Sequence, residues 1–324
     1  MAKQEFSIPS LMAQVPTEAD AYKLLERLRW EDDVVCPHCA SVAKHYFLNP
    51  ANGTSRKTRT GSTSQRRLWK CKDCRKQFSV LTGTIFHGSK IAVRTWLFVI
   101  FEMCASKNGV AAREIERKYD LAPKTAWFML HRIREAMKRE PLAGLLSGTI
   151  VADETWIGGK PGNKHGGGYG KPRRASDKQP VMSLVHKESG QVRSAVVPNV
   201  TAKTLGPILR ENVDLPNSVL HTDSSRSYVT VGKEFTSHGS VDHFAGEYVR
   251  DGISSNAAEN YFSQLKRSID GTQHHVSVEH LPRYLAEFDF RASTRTMDDS
   301  VRMRTLVERV AGRRLTYMPL TSGA

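Results

Sequence analysis

Two tight cysteine pairs, Cys36-Pro-His-Cys39 and Cys71-Lys-Asp-Cys74, stand 31 residues apart. Each pair offers two adjacent sulfurs from one turn. Four thiolates in this spacing suit tetrahedral Zn2+, and a four-sulfur shell leaves no open coordination position. The pattern therefore predicts one structural zinc ion, bound by Cys36, Cys39, Cys71 and Cys74. The stretch between the pairs is polar, basic and rich in Gly, Ser, Thr and Asn, as in a loop or irregular hairpin between two knuckles. Its length adds little closure entropy. His38 and Asp73 read as turn residues, and the fifth cysteine, Cys104, as a core residue in an apolar helical stretch.

The N-terminal "MAKQEFSIPS" lacks the long apolar stretch of a signal peptide, and the longest apolar run, "WLFVIF", is too short to span a membrane. A cytoplasmic chain without a membrane partner is expected, which also favours metal over disulfides. The length of 324 residues predicts more than one domain. A net charge of +15 with a pI near 9.7 calls for a polyanionic partner, with nucleic acid first.

Thr17 and Asp20 resemble a capping box at the start of a helix over 17–29, with Leu24, Leu25 and Leu28 as its apolar stripe. Residues 91–106 predict a mostly buried helix. "NGVAAREIERKYDLAPKTAWFMLHRIREAMK" predicts a helix near 110–118, a turn at 119–122 and a second helix opened by Pro123. Ala126, Leu130, Ile133 and Met137 give that helix one apolar face. The opposite face offers Lys124, Thr125, Phe128 and Arg132 to a major groove or its phosphates, the layout of a helix-turn-helix. From 149 onward, strand and helix patterns alternate in a way that predicts an α/β or α+β domain with a mixed sheet. Within it, "GGKPGNKHGGGYGKPRR" is not a Walker loop. It reads as a basic arm along a nucleic-acid backbone, through Lys160, Lys164, Lys171, Arg173 and Arg174.

Three carboxylates draw attention. Asp153 lies in the β-rich "IVADET", Asp223 ends "VLHTD", and Glu259 sits 35 residues beyond Asp223 near the start of "NAAENYFSQLKR". If neighbouring strands carry the two aspartates and a helix beside them carries the glutamate, such a trio holds two divalent cations for in-line attack on a phosphodiester. Glu154 points to the other side of the strand. Residue types alone favour a local reading. Asn256-x-x-Glu259 is close to a capping box, and Asp223 starts a turn with Ser224 and Ser225.

The stretches "CKDCRKQFSVLTGTIF", "KTAWFMLHRIREAM", "ADETWIGGK", "HTDSSRSY" and "NAAENYFSQLKRSIDGTQHHVSVEHLPRYLAEFDFR" together resemble bacterial insertion-sequence transposases. That family has an N-terminal zinc ribbon, a helix-turn-helix and a DDE-type catalytic domain with a ribonuclease-H-like fold. The resemblance implies four regions: helix and zinc ribbon (1–90), helix-turn-helix (91–140), catalytic α/β domain (149–295) and a basic C-terminal helix or tail (296–324). It implies that Asp153, Asp223 and Glu259 hold two Mg2+ or Mn2+ ions, with Asn256 an alternative third ligand. Lys266, with Arg267, would approach DNA phosphate. His274 and His275 would follow the catalytic helix. The implied activity is binding of terminal inverted repeats, cleavage at the element ends and joining of 3′-hydroxyls to target double-stranded DNA. A homo-oligomer acting at the nucleoid would carry it out. Two other readings share these features: a non-catalytic DNA-binding regulator derived from a transposase, and a different metal-dependent nuclease on the same fold.

Overall fold

The structure, a computed structural model, describes residues 5–31, 33–48, 66–139, 143–158, 178–242, 246–247 and 249–317. The chain divides into two compact units. The first holds helices α1 (Ile8–Gln14) and α2 (Glu18–Trp30), strands β1 (Tyr46–Phe47), β2 (Trp69–Lys70) and β3 (Gln77–Phe78), and helices α3 (Val93–Ala105), α4 (Ala112–Tyr119) and α5 (Pro123–Met137). Thr17 caps α2 by accepting from the Asp20 amide. Helix α3 is apolar nearly all round because it is the core of this unit, with Trp96, Leu97, Ile100 and Met103 buried. Its N-terminus is capped from outside, the amides of Val93 and Arg94 donating to Glu18 at 2.6 and 3.1 Å.

The segment expected to form a C-terminal helix or tail contains a helix and is not a unit of its own. From Met297 it rejoins the first unit, and α10 (Asp299–Glu308) packs on α2 and α3 through buried Met303, Leu306 and Val307. Ser300 accepts from the Phe6 amide at 2.8 Å, tying the two chain ends of this unit together.

The three short strands form an antiparallel sheet in the order β1-β2-β3. Two-residue strands are not stable alone. Buried Glu26 of α2 holds them, accepting from Arg67 Nε at 2.7 Å and Trp69 Nε1 at 2.9 Å. Trp30 adds edge-on contacts to Trp69 and Phe78.

The second unit contains β4 (Leu146–Ile157), β5 (Gln179–His186), β6 (Val192–Val196), α6 (Ala202–Asn212), β7 (Val213–Asp223), α7 (Val229–Gly232), β8 (Ser237–Val241), α8 (Asn256–Ser268) and α9 (Leu281–Ser293). The expected hairpin at 188–190 joins β5 to β6, with Gly190 at φ +71°, where a side chain is strained. The sheet is mixed, in the order β6-β5-β4-β7-β8: β4 runs antiparallel to β5 and parallel to β7, and β7 parallel to β8.

Each face buries its own core. Val151, Val181 and Val185 meet Ala258, Phe262 and Leu265 of α8 and Leu285 and Phe288 of α9. On the other face Ile150, Ala152, Met182 and Leu184 meet Leu205 and Leu209 of α6 and Tyr228. A polar network crosses the first interface. Ser183 Oγ lies 2.8 Å from Ser194 Oγ. Asp289 of α9 accepts from the Ser194 amide (2.8 Å), the Ser194 hydroxyl (2.7 Å) and the Tyr261 hydroxyl of α8 (2.6 Å). Among the described residues no helix is long and apolar enough to cross a membrane.

Within the second unit, Glu287 is fully buried beneath Arg291, whose Nη2 lies 2.8 Å from Glu287 Oε1. Gly109, at φ +85°, approaches so closely that a Cβ there would stand 2.9 Å from the same oxygen. Arg291→Ala removes the guanidinium from a buried carboxylate and should destabilise the protein by about 3–5 kcal/mol. The check is a lowered midpoint of urea unfolding.

Candidate functional site

The four predicted cysteines converge. Their sulfurs all lie within 4.8 Å of one another, with Cys36–Cys74 and Cys39–Cys71 each at 3.7 Å. A disulfide needs about 2.05 Å. A tetrahedron with zinc–sulfur bonds of about 2.3 Å has edges of about 3.8 Å, so the quartet is spaced for zinc. Both knuckles are built alike: Ala40 and Arg75, each following the second cysteine of its pair, sit at φ +58° and +60°. Burial opposes ionisation of Cys71, yet the amides of Cys74 and Asp73 bring it down to about 6. Burial pushes Cys36 up to about 12. The donor set supports a structural zinc ion; Cys104 is buried in α3, away from it in sequence and role.

Helices α4 and α5 pack on each other across a short turn in which Asp120 has φ +49°. Ala126, Leu130, Ile133 and Met137 are buried as their spacing predicts, and Lys124 is exposed. Arg132 corrects the expected outer face. It is only 5% exposed and donates through Nη2 to the His87 carbonyl at 2.5 Å. Its guanidinium lies over the rings of Trp96 and Phe128. Lys160, Lys164, Lys171, Arg173 and Arg174 lie outside the described residues.

In the second unit, the β4–β7 register pairs Ile150 with Leu220 and Val151 with His221. Continuing by two residues sets Asp153 beside Asp223, where β7 ends. Alternation puts both on the side that carries Val151, the face covered by α8 and α9. Asp153 Oδ1 accepts from the Glu154 amide at 2.7 Å, and Asp223 Oδ1 from the Ser225 amide at 3.0 Å. The turn expected at Asp223 is therefore present, and it fixes the carboxylate.

Glu259 is half-buried in the first turn of α8, on a helix that packs over β4 and β5. The Ser255 hydroxyl donates to Glu259 Oε1 at 3.2 Å. Ser255, not Asn256, is the N-cap residue, and Asn256 is exposed at the first helical position. The near-capping-box at Asn256 thus gives way to a Ser255–Glu259 pair. Lys266 and Arg267 are exposed two turns along. Helix α8 continues as a π-helical turn over Ile269–Gln273, after which His274 has φ +59° and is exposed, like His275.

Glu154 takes the opposite side of β4, as alternation requires, and accepts from the Tyr228 hydroxyl. Burial, then the charges of Asp153 and Asp223, push it up to about 7 against the pull of that hydrogen bond. The same two aspartates contribute to raising Tyr228 well above its ordinary value, after burial and Glu154. The aspartates thus make one region of concentrated negative potential. Among the described residues only the cysteine quartet brings three or more ligand atoms of His, Cys, Asp or Glu within 4.8 Å; Asp153, Asp223 and Glu259 stand wider apart.

Residues 145–293 match the ISXO2-like transposase domain, and residues 16–77 match the transposase zinc-ribbon domain. An uncharacterised transposase-like protein of Haemophilus influenzae is 33% identical over 101 residues, 31% of this chain and 80% of that one. The chain belongs to the insertion-sequence transposase family. An uncharacterised protein in the transposable element ISH50 of Halobacterium salinarum is similar over nearly the whole length, 24% identical across 90% of this chain and 96% of that one. A chain from a simian T-cell lymphotropic virus intasome bound to a PP2A regulatory subunit matches 54% of this chain and 63% of its own. At 12% identity and a TM-score of 0.28, it bears no weight on the fold. Within the transposase chain, the two matched domains contain the cysteine quartet and the three carboxylates.

The purified protein should carry one zinc per chain by atomic emission spectroscopy. Cys71→Ser should lose it together with the near-ultraviolet signal of Trp30 and Trp69. Glu154 gives a pH prediction. Its folded value of about 7 lies above the ordinary 4.5, so the folded state binds the extra proton and stability falls as pH rises between them. The loss is up to roughly 3 kcal/mol. In magnesium-free buffer, Glu154→Gln should flatten urea-unfolding stability between these pH limits relative to the parent chain.

Proposed function

We propose that this chain is a DDE-type DNA transposase whose second unit has a ribonuclease-H-like fold. On this reading it binds the terminal inverted repeats of its element, cleaves DNA at the ends and joins the 3′-hydroxyls to target DNA. The observation that carries the reading is the β4–β7 register, whose last pair, Val151 with His221, leaves Asp153 and Asp223 each two residues further along, on the side that packs against the helix of Glu259. The mixed sheet order and the family membership support it.

The donor set fits magnesium, which prefers carboxylate oxygen and keeps several waters. Asp153, Asp223 and Glu259 would hold two Mg2+ or Mn2+ ions, with Asn256 as the alternative third ligand. When bound, such ions activate the attacking water or 3′-hydroxyl and stabilise the leaving oxygen.

The chain's own residues prepare this site. The amides of Glu154 and Ser225 and the hydroxyl of Ser255 fix the three carboxylates. Lys266 and Arg267 would neutralise phosphate beside them. In the first unit, the zinc ribbon and the α4–α5 pair would engage duplex DNA, with Lys124 and Thr125 at the start of α5. The basic arm of Lys160, Lys164, Lys171, Arg173 and Arg174 would track the backbone. Two ends are joined in one event, so a homo-oligomer on cytoplasmic, nucleoid DNA is part of the proposal.

The test incubates purified protein and Mg2+ with labelled element-end DNA and a target plasmid. Asp153→Asn, Asp223→Asn and Glu259→Gln should each lower cleavage and joining on the order of a thousandfold or more, with end binding retained. End binding by the parent chain without cleavage or joining would favour the regulator instead. Activity surviving in Glu259→Gln but lost in Asn256→Ala would transfer the third ligand to Asn256.

A further inference from the structure

The first unit contains a cavity of about 290 Å3 at the start of α5. Its walls include three aromatic rings, Trp96, Phe128 and Tyr317, and three cations, Lys90, Lys124 and Arg132. Lys90 and Lys124 are exposed, whereas Arg132 is 5% exposed. The Arg132 guanidinium is held between Trp96 and Phe128, 5.5 and 5.4 Å from their ring centres. One of its amino groups is taken by the His87 carbonyl, but its Nε is buried and has no hydrogen-bond partner.

A buried N–H without an acceptor is unfavourable, and native structures seldom leave one. Burial and the nearby Arg314 push Arg132 down to about 10, so it stays charged at neutral pH. The rings suit a flat, stackable occupant, and the three cations favour one that is rich in hydrogen-bond acceptors or negative charge. The volume lies at the lower end of ligand pockets, about 300–1,000 Å3, which suits a single ring system. At the mouth, the N-terminus of the 15-residue α5 and the exposed Lys90 and Lys124 favour an anion such as phosphate.

We infer that this cavity receives one unpaired deoxynucleotide of bound DNA, its base against Phe128 and Tyr317 over the charged Arg132, its phosphate at Lys90 and Lys124. A base within a duplex exposes only its edges, so the nucleotide must leave the stack. The inference rests on the proposal that the first unit binds DNA and goes beyond it, adding a subsite to a surface otherwise expected to meet only grooves and phosphates. Arg132, misplaced on an outer face by the sequence pattern, becomes the floor of that subsite.

The experiment measures fluorescence anisotropy with the full zinc-loaded chain and two short labelled duplexes of the same sequence. One is fully paired; the other carries one unpaired adenine at its centre. The bulged duplex should bind roughly tenfold tighter. That ratio should fall toward one in Phe128→Ala, which removes a stacking face, and in Ile91→Trp, which fills the cavity from its wall. Circular dichroism melts establish that both variants fold. Equal affinity of the parent chain for the two duplexes overturns the subsite and leaves DNA binding standing. A ratio that persists in both folded variants also overturns it, because the preference then comes from DNA flexibility. Binding of neither duplex overturns the DNA-binding reading and the subsite together.

Discussion

Strand β4 is paired on both edges, antiparallel to β5 and parallel to β7, and the second unit is arranged around it. A strand buried on both faces presents alternate residues to two separate cores. Its odd positions meet α8 and α9, and its even positions meet α6 and Tyr228. The parallel partner then decides the electrostatics. Asp153 and Asp223 each lie two residues beyond the last β4–β7 pair, and Asp223 ends β7 half-buried rather than sealed in the core. Their combined charge is felt through the sheet by Glu154 and Tyr228 on the other face. A slip of one residue in that register would exchange the two faces and move Asp223 into the α6 core.

The helix that carries Glu259 is held to the sheet by more than apolar packing. Apolar faces alone tolerate small slides, whereas hydrogen bonds of fixed geometry do not. Asp289 accepts from both Ser194 and Tyr261, so α9, β6 and α8 share one buried carboxylate. Burial raises Asp289 against the pull of those donors, and burial with Asp289 raises Tyr261 well above its ordinary value. Ser183, the Cα partner of Asp153 on β5, joins the same network through Ser194. The placement of α8 and the strand position of Asp153 are thereby coupled through a chain of direct contacts.

The first unit meets a different constraint. Its sheet is too short to fold by strand pairing, so the cysteine quartet and the docking of Glu26 to Arg67 and Trp69 do that work. The chain then returns at its far end to complete the core around α3. Cysteine quartet and apolar core are distinct supports here: one lies in the ribbon, the other among the helices.

Much of this was legible in the residues. The cysteine spacing named its own metal chemistry, Pro123 opened α5, and the alternation of "VADE" separated Asp153 from Glu154 before any fold was known, since each of these is a local rule of geometry. The fold class followed from the order of strand and helix patterns for the same reason. Three points needed the tertiary structure. Arg132 sits at a helix position that spacing marks as outward, yet Trp96 and Phe128 from other turns and elements cover it. The near-capping-box at Asn256 is a local pattern, and in the fold Ser255 takes the cap position and its hydroxyl the Glu259 carboxylate. The C-terminal helix carries no sequence sign that its partners are α2 and α3, hundreds of residues earlier. Local sequence fixes dihedral preference and side-chain chemistry; which surfaces meet depends on the burial of distant residues, and only the folded chain decides that.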